Sequence, residues 1–97
     1  MEFDAELWEY EGDAPWVFVT LPHDIADAFD DEWPRRPGFG SVPVVVTIGA
    51  TEWRTSVFPD KGSASFVLPV KQAVRRAEGL EPGDTATVVI AIDADRP

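Results

Sequence analysis

The middle of the chain carries three consecutive runs of strand-forming residues joined by two short turns. The runs are rich in Val, Ile, Thr, Phe and Trp, which favour strands, and they read VPVVVTIG (42–49), TEWRTSVF (51–58) and ASFVLPV (64–70). Gly49-Ala50 separates the first two runs, and PDKG separates the second from the third. Gly, Pro and Asp are turn formers for defined conformational reasons. The spacing predicts a β-meander, which restricts the chain to a mainly β fold.

Further strands are predicted on both sides of this meander. Residues 2–10 come close to an alternation of apolar and acidic or mixed positions, and WVFVTL at 16–21 is β-branched and aromatic, so we expect the two runs to pair as a hairpin. The run at 85–93 also alternates, with Asp93 on the outer face and a core face that consists of Ala86, Val88, Ile90 and Ile92. The total is six to seven strands.

Two short helices are predicted between the strands. In PHDIADAFDDEW, at 22–33, the apolar residues that recur with the spacing of one helical stripe are Ile25, Phe29 and Trp33. The second helix is expected over 69–78, with a core face made of Val70, Ala73, Val74 and Ala77. Gly79 follows at the position where a left-handed residue commonly ends a helix.

A short unit occurs twice in the chain. VFVTLPHDIADAF and SFVLPVKQAVRRA each contain a strand, a Leu-Pro step and a helix, and they align on Leu21-Pro22 and Leu68-Pro69. Two such halves cannot bury themselves alone, so we expect them to close one barrel around a pseudo-two-fold axis. The predicted fold is mainly β, with a single small barrel domain over 1–97 and two short capping helices.

The stretch FVLPVKQAVRRAEGLEPGD resembles part of the AbrB/MazE swapped-hairpin domains. In those domains a strand ending in Pro leads to a short helix, then Gly-Leu, then Gly-Asp and a strand. The matching residues are Leu68, Pro69, Val74, Arg75, Gly79, Leu80, Gly83 and Asp84. Two chains of that family supply the two halves, and the dimer binds operator DNA, so the resemblance implies DNA binding as one alternative function.

Nearly the whole chain resembles a second family, the bacterial and archaeal proteins called domain of unknown function 1905. Its pattern runs from F-x-A-x-L through V-x-L-P and T-I-x-G to V-R-(K/R)-A-x-G-L-x-x-G-D. The matching positions are Phe3, Ala5, Leu7, Trp16, Val19, Leu21, Pro22, Thr47, Ile48, Gly49, Trp53, Arg54, Ser56 and residues 74–84. Gly49-Ala50 replaces the usual Asn-Gly, which would relax a type I′ turn. The resemblance implies a bacterial or archaeal double-split β-barrel and no activity.

Charge and composition exclude several classes of protein. Eighteen Asp and Glu against eight Lys and Arg give a net charge of -10, which repels nucleic acid and anionic membranes. The absence of cysteine excludes disulfides and thiol catalysis. No apolar run approaches the ~20 residues that span a bilayer, and the N-terminal residues lack the features of a signal peptide. We therefore expect a cytoplasmic protein, and both halves in one chain favour a monomer.

The basic residues are the candidates for an anion or partner site. Convergence at the barrel mouth would let them hold a carboxylate or a phosphate; the candidates are Arg35, Arg36, Arg54, Lys71, Arg75 and Arg76. A structural role is favoured, because Arg75 and Arg76 lie in the last helical turn, where unpaired carbonyls attract cations. Glu78 and Glu81 are close enough in sequence to pair with them.

No constellation indicates catalysis, a metal or a cofactor. His23 is the single histidine, and although Asp24 and Asp27 lie near it in sequence, a metal site needs further ligands at defined positions. The serines lack a nucleophile elbow. The four tryptophans are expected to pack in the core and at its rim rather than to stack on bases; they are Trp8, Trp16, Trp33 and Trp53.

The sequence therefore favours a non-enzymatic binding or protein-interaction module that uses no cofactor. The acidic surface would suit a cationic protein partner, whose identity the sequence does not indicate. Two alternatives stay open: a DNA-binding or antitoxin-like regulator, and a binder of small anionic ligands at the barrel mouth.

Overall fold

The computed structural model describes residues 1–12, 15–33 and 40–95. Seven strands and two helices follow one another in these ranges, in the order β1 (Glu2–Glu6), β2 (Trp8–Glu9), β3 (Val17–Thr20), α1 (His23–Glu32), β4 (Val42–Ile48), β5 (Thr51–Asp60), β6 (Ser65–Pro69), α2 (Gln72–Glu78) and β7 (Thr85–Ile92). The predicted mainly β class, the meander of β4, β5 and β6, and the two helices are confirmed.

The seven strands form one sheet that curls into a nearly closed barrel. Their spatial order is β1-β7-β4-β5-β6-β3-β2, and every neighbouring pair is antiparallel. The two end strands, β1 and β2, are separated in the chain only by Leu7. Strand β5 serves both halves of the sheet, since residues 51–57 pair with β4 and residues 58–60 pair with β6. The chain thus passes from one half of the sheet to the other at Leu7 and again within β5. This arrangement is the double-split barrel that the family resemblance predicts.

Leu7 divides the first predicted strand into two. The amide of Leu7 donates to the carbonyl of Asp84 at 2.9 Å, and its own carbonyl accepts from the amide of Gly83 at 2.8 Å. Its side chain is buried in the core. The single strand predicted over 2–10 is therefore wrong, and only its second part, β2, forms the expected hairpin with β3.

Alternating side chains of the long strands fill the barrel. Val46 and Ile48 of β4 stand opposite Ile90 and Val88 of β7, and all four are buried, each contributing roughly 1.5–3 kcal/mol through removal from water. The predicted face of β7 is confirmed. Asp93 is not on the outer face as predicted, because the strand ends at Ile92 and the chain turns inward; the Asp93 amide donates to the Pro43 carbonyl at 2.8 Å.

The two helices contact the barrel to different extents. Ile25 and Phe29 of α1 are buried and Trp33 is half-buried, so the predicted stripe is confirmed. In contrast, α2 begins at Gln72, because Pro69 belongs to β6. Of the four residues predicted on the core face of this helix, Val70 and Val74 are buried whereas Ala73 and Ala77 are exposed. Two turns of helix touch the barrel over too short a length to bury both alanines.

Two glycines adopt the conformations that the turns require. Gly79 ends α2 with φ 65° and ψ 38°, as predicted. In the turn that joins β4 to β5, Gly49 has φ 59° and Ala50 is not among the residues with positive φ. A two-residue hairpin with positive φ at its first central residue only has the type II′ pattern. The Gly49-Ala50 sequence therefore suits this turn, whereas a type I′ turn would need positive φ at both positions.

The strands that precede the two helices lie side by side. In the pairing of β3 with β6, Thr20 stands opposite Val67. These residues occupy equivalent positions when the two sequence copies are aligned on their Leu-Pro steps. The internal two-fold repeat itself stays a prediction.

Candidate functional site

The outer face of the β2-β3-β6-β5 half of the sheet is aromatic. Val17 and Val19 of β3 point into the barrel, so Phe18 between them points outward. On that outer face the register sets Trp8 and Pro69 opposite Phe18 on either side. Such a face usually carries polar side chains where it meets water.

Four residues of this face, Tyr10, Trp16, Phe18 and Phe58, are named here the aromatic surface. Of the five large hydrophobic side chains exposed in the described part of the chain, three belong to it: Trp16 is 54% exposed, Tyr10 53% and Phe58 42%. Single exposed apolar residues are ordinary, but a cluster of them marks a contact site. The cluster is therefore the feature of the described surface that most needs a functional explanation.

Phe18 holds the aromatic surface together. The ring of Trp16 stacks on that of Phe18 with centroids 6.1 Å apart and an interplanar angle of 12°. Tyr10 meets Phe18 edge-on at 6.4 Å, and Trp8 lies 5.2 Å away, anchored by its indole N–H, which donates to the Thr20 hydroxyl at 2.9 Å. Aromatic pairs of these geometries are each worth about 0.5–1.5 kcal/mol beyond burial, so the exposed rings of Tyr10 and Trp16 are restrained in these positions.

Two adjoining grooves lie at this part of the barrel, one on the outer sheet face and the other beside it, between the start of β3 and the start of α2. The first, the aromatic groove, encloses about 360 Å³ and is lined by Tyr10, Trp16, Phe18, Phe58, Val67 and Pro69. The second, the basic groove, encloses about 470 Å³ and is lined by Pro15, Trp16, Val17, Pro69, Val70, Lys71, Gln72 and Arg75. Trp16 and Pro69 form the wall that the grooves share. Among the described residues, neither groove is lined by an Asp or a Glu.

Arg75 is positioned by the backbone next to the basic groove. Its Nε–H donates to the carbonyl of Val70 at 3.0 Å, so the side chain extends back along α2 toward the beginning of the helix. Arg75 and Arg76 lie in the last turn of α2 as predicted, but Arg75 binds this earlier carbonyl rather than one of the last carbonyls of the helix. Lys71 is the exposed N-cap residue of the same helix. Both cations border the same groove, one turn apart.

The expected pairing of Arg75 and Arg76 with Glu78 and Glu81 is not found among the described residues. Glu78 accepts a 2.6 Å hydrogen bond from the hydroxyl of Thr51 instead. The amide of Glu81 donates to the carboxylate of Asp84 at 2.8 Å, which closes the turn before β7.

The other predicted site residues do not line the basic groove. Arg76 is exposed and borders a second depression, which shares Gln72 and Arg75 with the basic groove and also contains Glu81. Arg54, 63% exposed on β5, lies 3.6 Å from Asp93, which is 3% exposed, and it lines neither groove. Arg35 and Arg36 lie outside the described residues. Of the six basic residues predicted as a site, the structure brings Lys71 and Arg75 together at one groove.

His23 connects α1 to the turn between β5 and β6. Its Nε2 donates to the carbonyl of Ser63 at 2.8 Å, which requires the proton to be on Nε2. Within the described ranges, no three His, Asp or Glu side chains are grouped as metal ligands. In the same ranges, neither helix has the length or apolar character needed to cross a membrane.

Most of the aromatic surface was not predicted from the sequence. Trp53 is buried and Trp8 and Trp33 are half-buried, as expected for packing residues, but Trp16 lies on the surface. The signal was present in WVFVTL, where both faces of the predicted strand are apolar although a strand of an antiparallel sheet normally has one polar face. Tyr10, Phe18 and Phe58 were not identified, because strand period alone does not show which outer faces adjoin.

The fold and the surface together define a small, nearly closed β-barrel that displays an aromatic face next to two cations. A family model described as Domain of unknown function (DUF1905) matches residues 3–90, so the chain belongs to this family. The family predicted from the sequence motifs is therefore confirmed. No curated protein matches the sequence of the chain.

Proposed function

We propose that this chain is a non-enzymatic protein-interaction module whose partner docks on the aromatic surface. The observation that carries the proposal is the grouping of Tyr10, Trp16 and Phe58 on one outer sheet face, each more than two-fifths exposed. Trp and Tyr dominate the energetics of protein interfaces because they bury a large area while losing few rotatable bonds.

Placing these rings in water is unfavourable for the isolated chain. Each ring would gain about 25 cal/mol for every Å² of apolar surface that a partner covers. Phe18 already fixes Tyr10 and Trp16 in place, so little side-chain freedom is lost on docking. The aromatic surface is therefore preorganised for binding a partner, because Tyr10 and Trp16 lose little freedom when the partner docks.

The alternative functions have weaker support. DNA binding would draw on Lys71, Arg75 and Arg76, but three cations neutralise few phosphates in a chain of net charge -10, and Glu81 borders the same depression as Arg76. A dedicated small-anion site would need more convergent donors than Lys71 and Arg75 provide. The acidic residues of α1 are exposed, and they form an ordinary solvated helix face.

The proposal is tested by affinity capture with the tagged chain and surface variants, using lysate from the organism that encodes it. We expect specific proteins to be retained by the wild type and lost by Trp16→Ser. Val89→Ser is the matched control, since Val89 is 43% exposed on β7, in the other half of the sheet, and should retain the same proteins.

A third variant tests whether the partner binds the acidic face of α1 instead of the aromatic surface. Neutralising Asp24, Asp27 and Asp31 should leave the captured proteins unchanged. Loss of the proteins on this change, with retention by Trp16→Ser, would instead place the interface on α1. Recovery of DNA by the wild type in the same experiment, and its loss in the double variant Arg75→Gln with Arg76→Gln, would favour the alternative function of a DNA-binding regulator.

A further inference from the structure

We propose that the partner segment is an extended peptide in which apolar residues stand next to a carboxylate-bearing residue, the apolar part lying in the aromatic groove and the carboxylate in the basic groove. This inference rests on the proposed function, because it names the chemistry of the partner at the same surface.

The aromatic groove and the basic groove are continuous with each other. Trp16 and Pro69 line both, so a ligand that covers the indole of Trp16 meets apolar rings on one side and Lys71 with Arg75 on the other. Both grooves are partly open to solvent. Small-molecule sites are typically concave pockets that enclose most of their ligand, whereas open, aromatic-lined grooves are typical of peptide recognition.

The charges that border the two grooves are complementary to an anionic group on the ligand. The chain has 18 Asp and Glu, yet among the described residues none lines either groove, whereas Lys71 and Arg75 do. At physiological ionic strength charges interact over about 8 Å, so an anionic group in the basic groove is affected most by the two cations that border it. The local field therefore favours an anionic group at the end of an apolar segment.

Arg75 offers hydrogen-bond donors that suit a carboxylate. Its Nε–H is used by the carbonyl of Val70, which fixes the plane of the guanidinium beside the groove. A guanidinium carries four more N–H groups on its two terminal nitrogens, in a fork that fits a carboxylate. Lys71, at the start of α2 and one turn away, adds a second, mobile positive charge.

A displayed library of random seven-residue peptides, selected on the immobilised chain, tests both the site and the chemistry. We expect the enriched peptides to combine apolar residues with an adjacent Asp or Glu. For one such peptide made synthetically, replacing its acidic residue by the amide should weaken binding about fivefold, as expected for one exposed ion pair. The Lys71→Gln chain should bind the acidic peptide more weakly than the wild type, and it should distinguish the acid from the amide less, because Arg75 remains.

Lys61→Gln is the matched control, because Lys61 is an exposed lysine in the turn at the opposite end of β6. This variant should bind like the wild type. The Trp16→Ser chain should enrich none of the selected peptides. Unchanged one-dimensional NMR spectra of the backbone amides, apart from the changed residue, establish that each variant is folded.

The possible failures are distinguishable. Enriched peptides that need Trp16 but lack acidic residues, or that bind Lys71→Gln as well as wild type, would overturn the carboxylate inference and leave the interaction surface in place. Enrichment that is the same on wild type and Trp16→Ser, or no enrichment at all, would overturn both proposals.

Discussion

The hydroxyl of Thr51 donates a 2.6 Å hydrogen bond to Oε2 of Glu78, which ties the turn between β4 and β5 to the last turn of α2. The same carboxylate lies over Gly49, where an added Cβ would come within van der Waals overlap of Oε1 of Glu78. One side chain therefore joins a hairpin turn to the helix that carries Lys71 and Arg75.

Replacing Gly49 by alanine should lower the free energy of unfolding by about 1–3 kcal/mol, since φ is 59° at this position. The new methyl group should also displace Glu78 and break its hydrogen bond to Thr51. Urea denaturation measures the change. Gly79→Ala is the control, because Gly79 has φ 65° but an added Cβ there would meet no atom within 4 Å outside its own and the neighbouring residues of the chain. If the contact matters, Glu78→Ala should cost less in the Gly49→Ala chain than in the wild type.

Ala64 is the one non-glycine residue in the described part of the chain that has positive φ, at 55°. A left-handed conformation costs an L-residue roughly 1–2 kcal/mol, and glycine loses about 0.5–1 kcal/mol through its greater freedom when unfolded. Ala64→Gly should therefore stabilise the chain by about 0.5–1 kcal/mol in thermal unfolding. Ala50→Gly, another exposed turn alanine but without positive φ, should destabilise it slightly. Equal effects of the two changes would contradict the assigned turn conformations.

Val74 is the buried residue through which α2 itself contacts the core. Shortening it to alanine removes two methyl groups and should cost about 2 kcal/mol, including the cavity left behind. Ala73→Ser, one residue earlier on the exposed side, should change the free energy of unfolding by less than about 0.5 kcal/mol. A large effect at Ala73 would show that the helix packs on the face predicted from the sequence instead.

Phe18 contacts Trp8, Tyr10 and Trp16, whereas Trp16 stacks on Phe18 alone among these rings. Phe18→Ala should therefore destabilise the chain by about 3 kcal/mol and Trp16→Ala by about 1 kcal/mol. Near-ultraviolet circular dichroism should lose most of its aromatic signal in Phe18→Ala and a smaller part in Trp16→Ala. A weaker effect of Phe18→Ala than of Trp16→Ala would exclude Phe18 as the centre of the aromatic surface.

Local signals in the sequence were sufficient for many single elements. The turn residues and the period-two alternation predicted β4, β5 and β7, and the spacing of Ile25, Phe29 and Trp33 predicted α1 and its buried stripe. Gly79 was predicted as a left-handed helix stop because few other residues adopt that conformation without strain. In each case the information lies within a few residues of the chain.

The assembly of the site required the tertiary structure. The sequence determined a mainly β barrel of known family, a fold without cysteine chemistry and a set of candidate cations. The tertiary structure decided that Leu7 passes from one half of the sheet to the other, that Asp93 is buried, and that Lys71 and Arg75 border a groove beside Trp16. The reason is physical: alternation shows that a strand has two faces, but when both are apolar, as in β3, only pairing with distant strands decides which face enters the core and which is left for a partner.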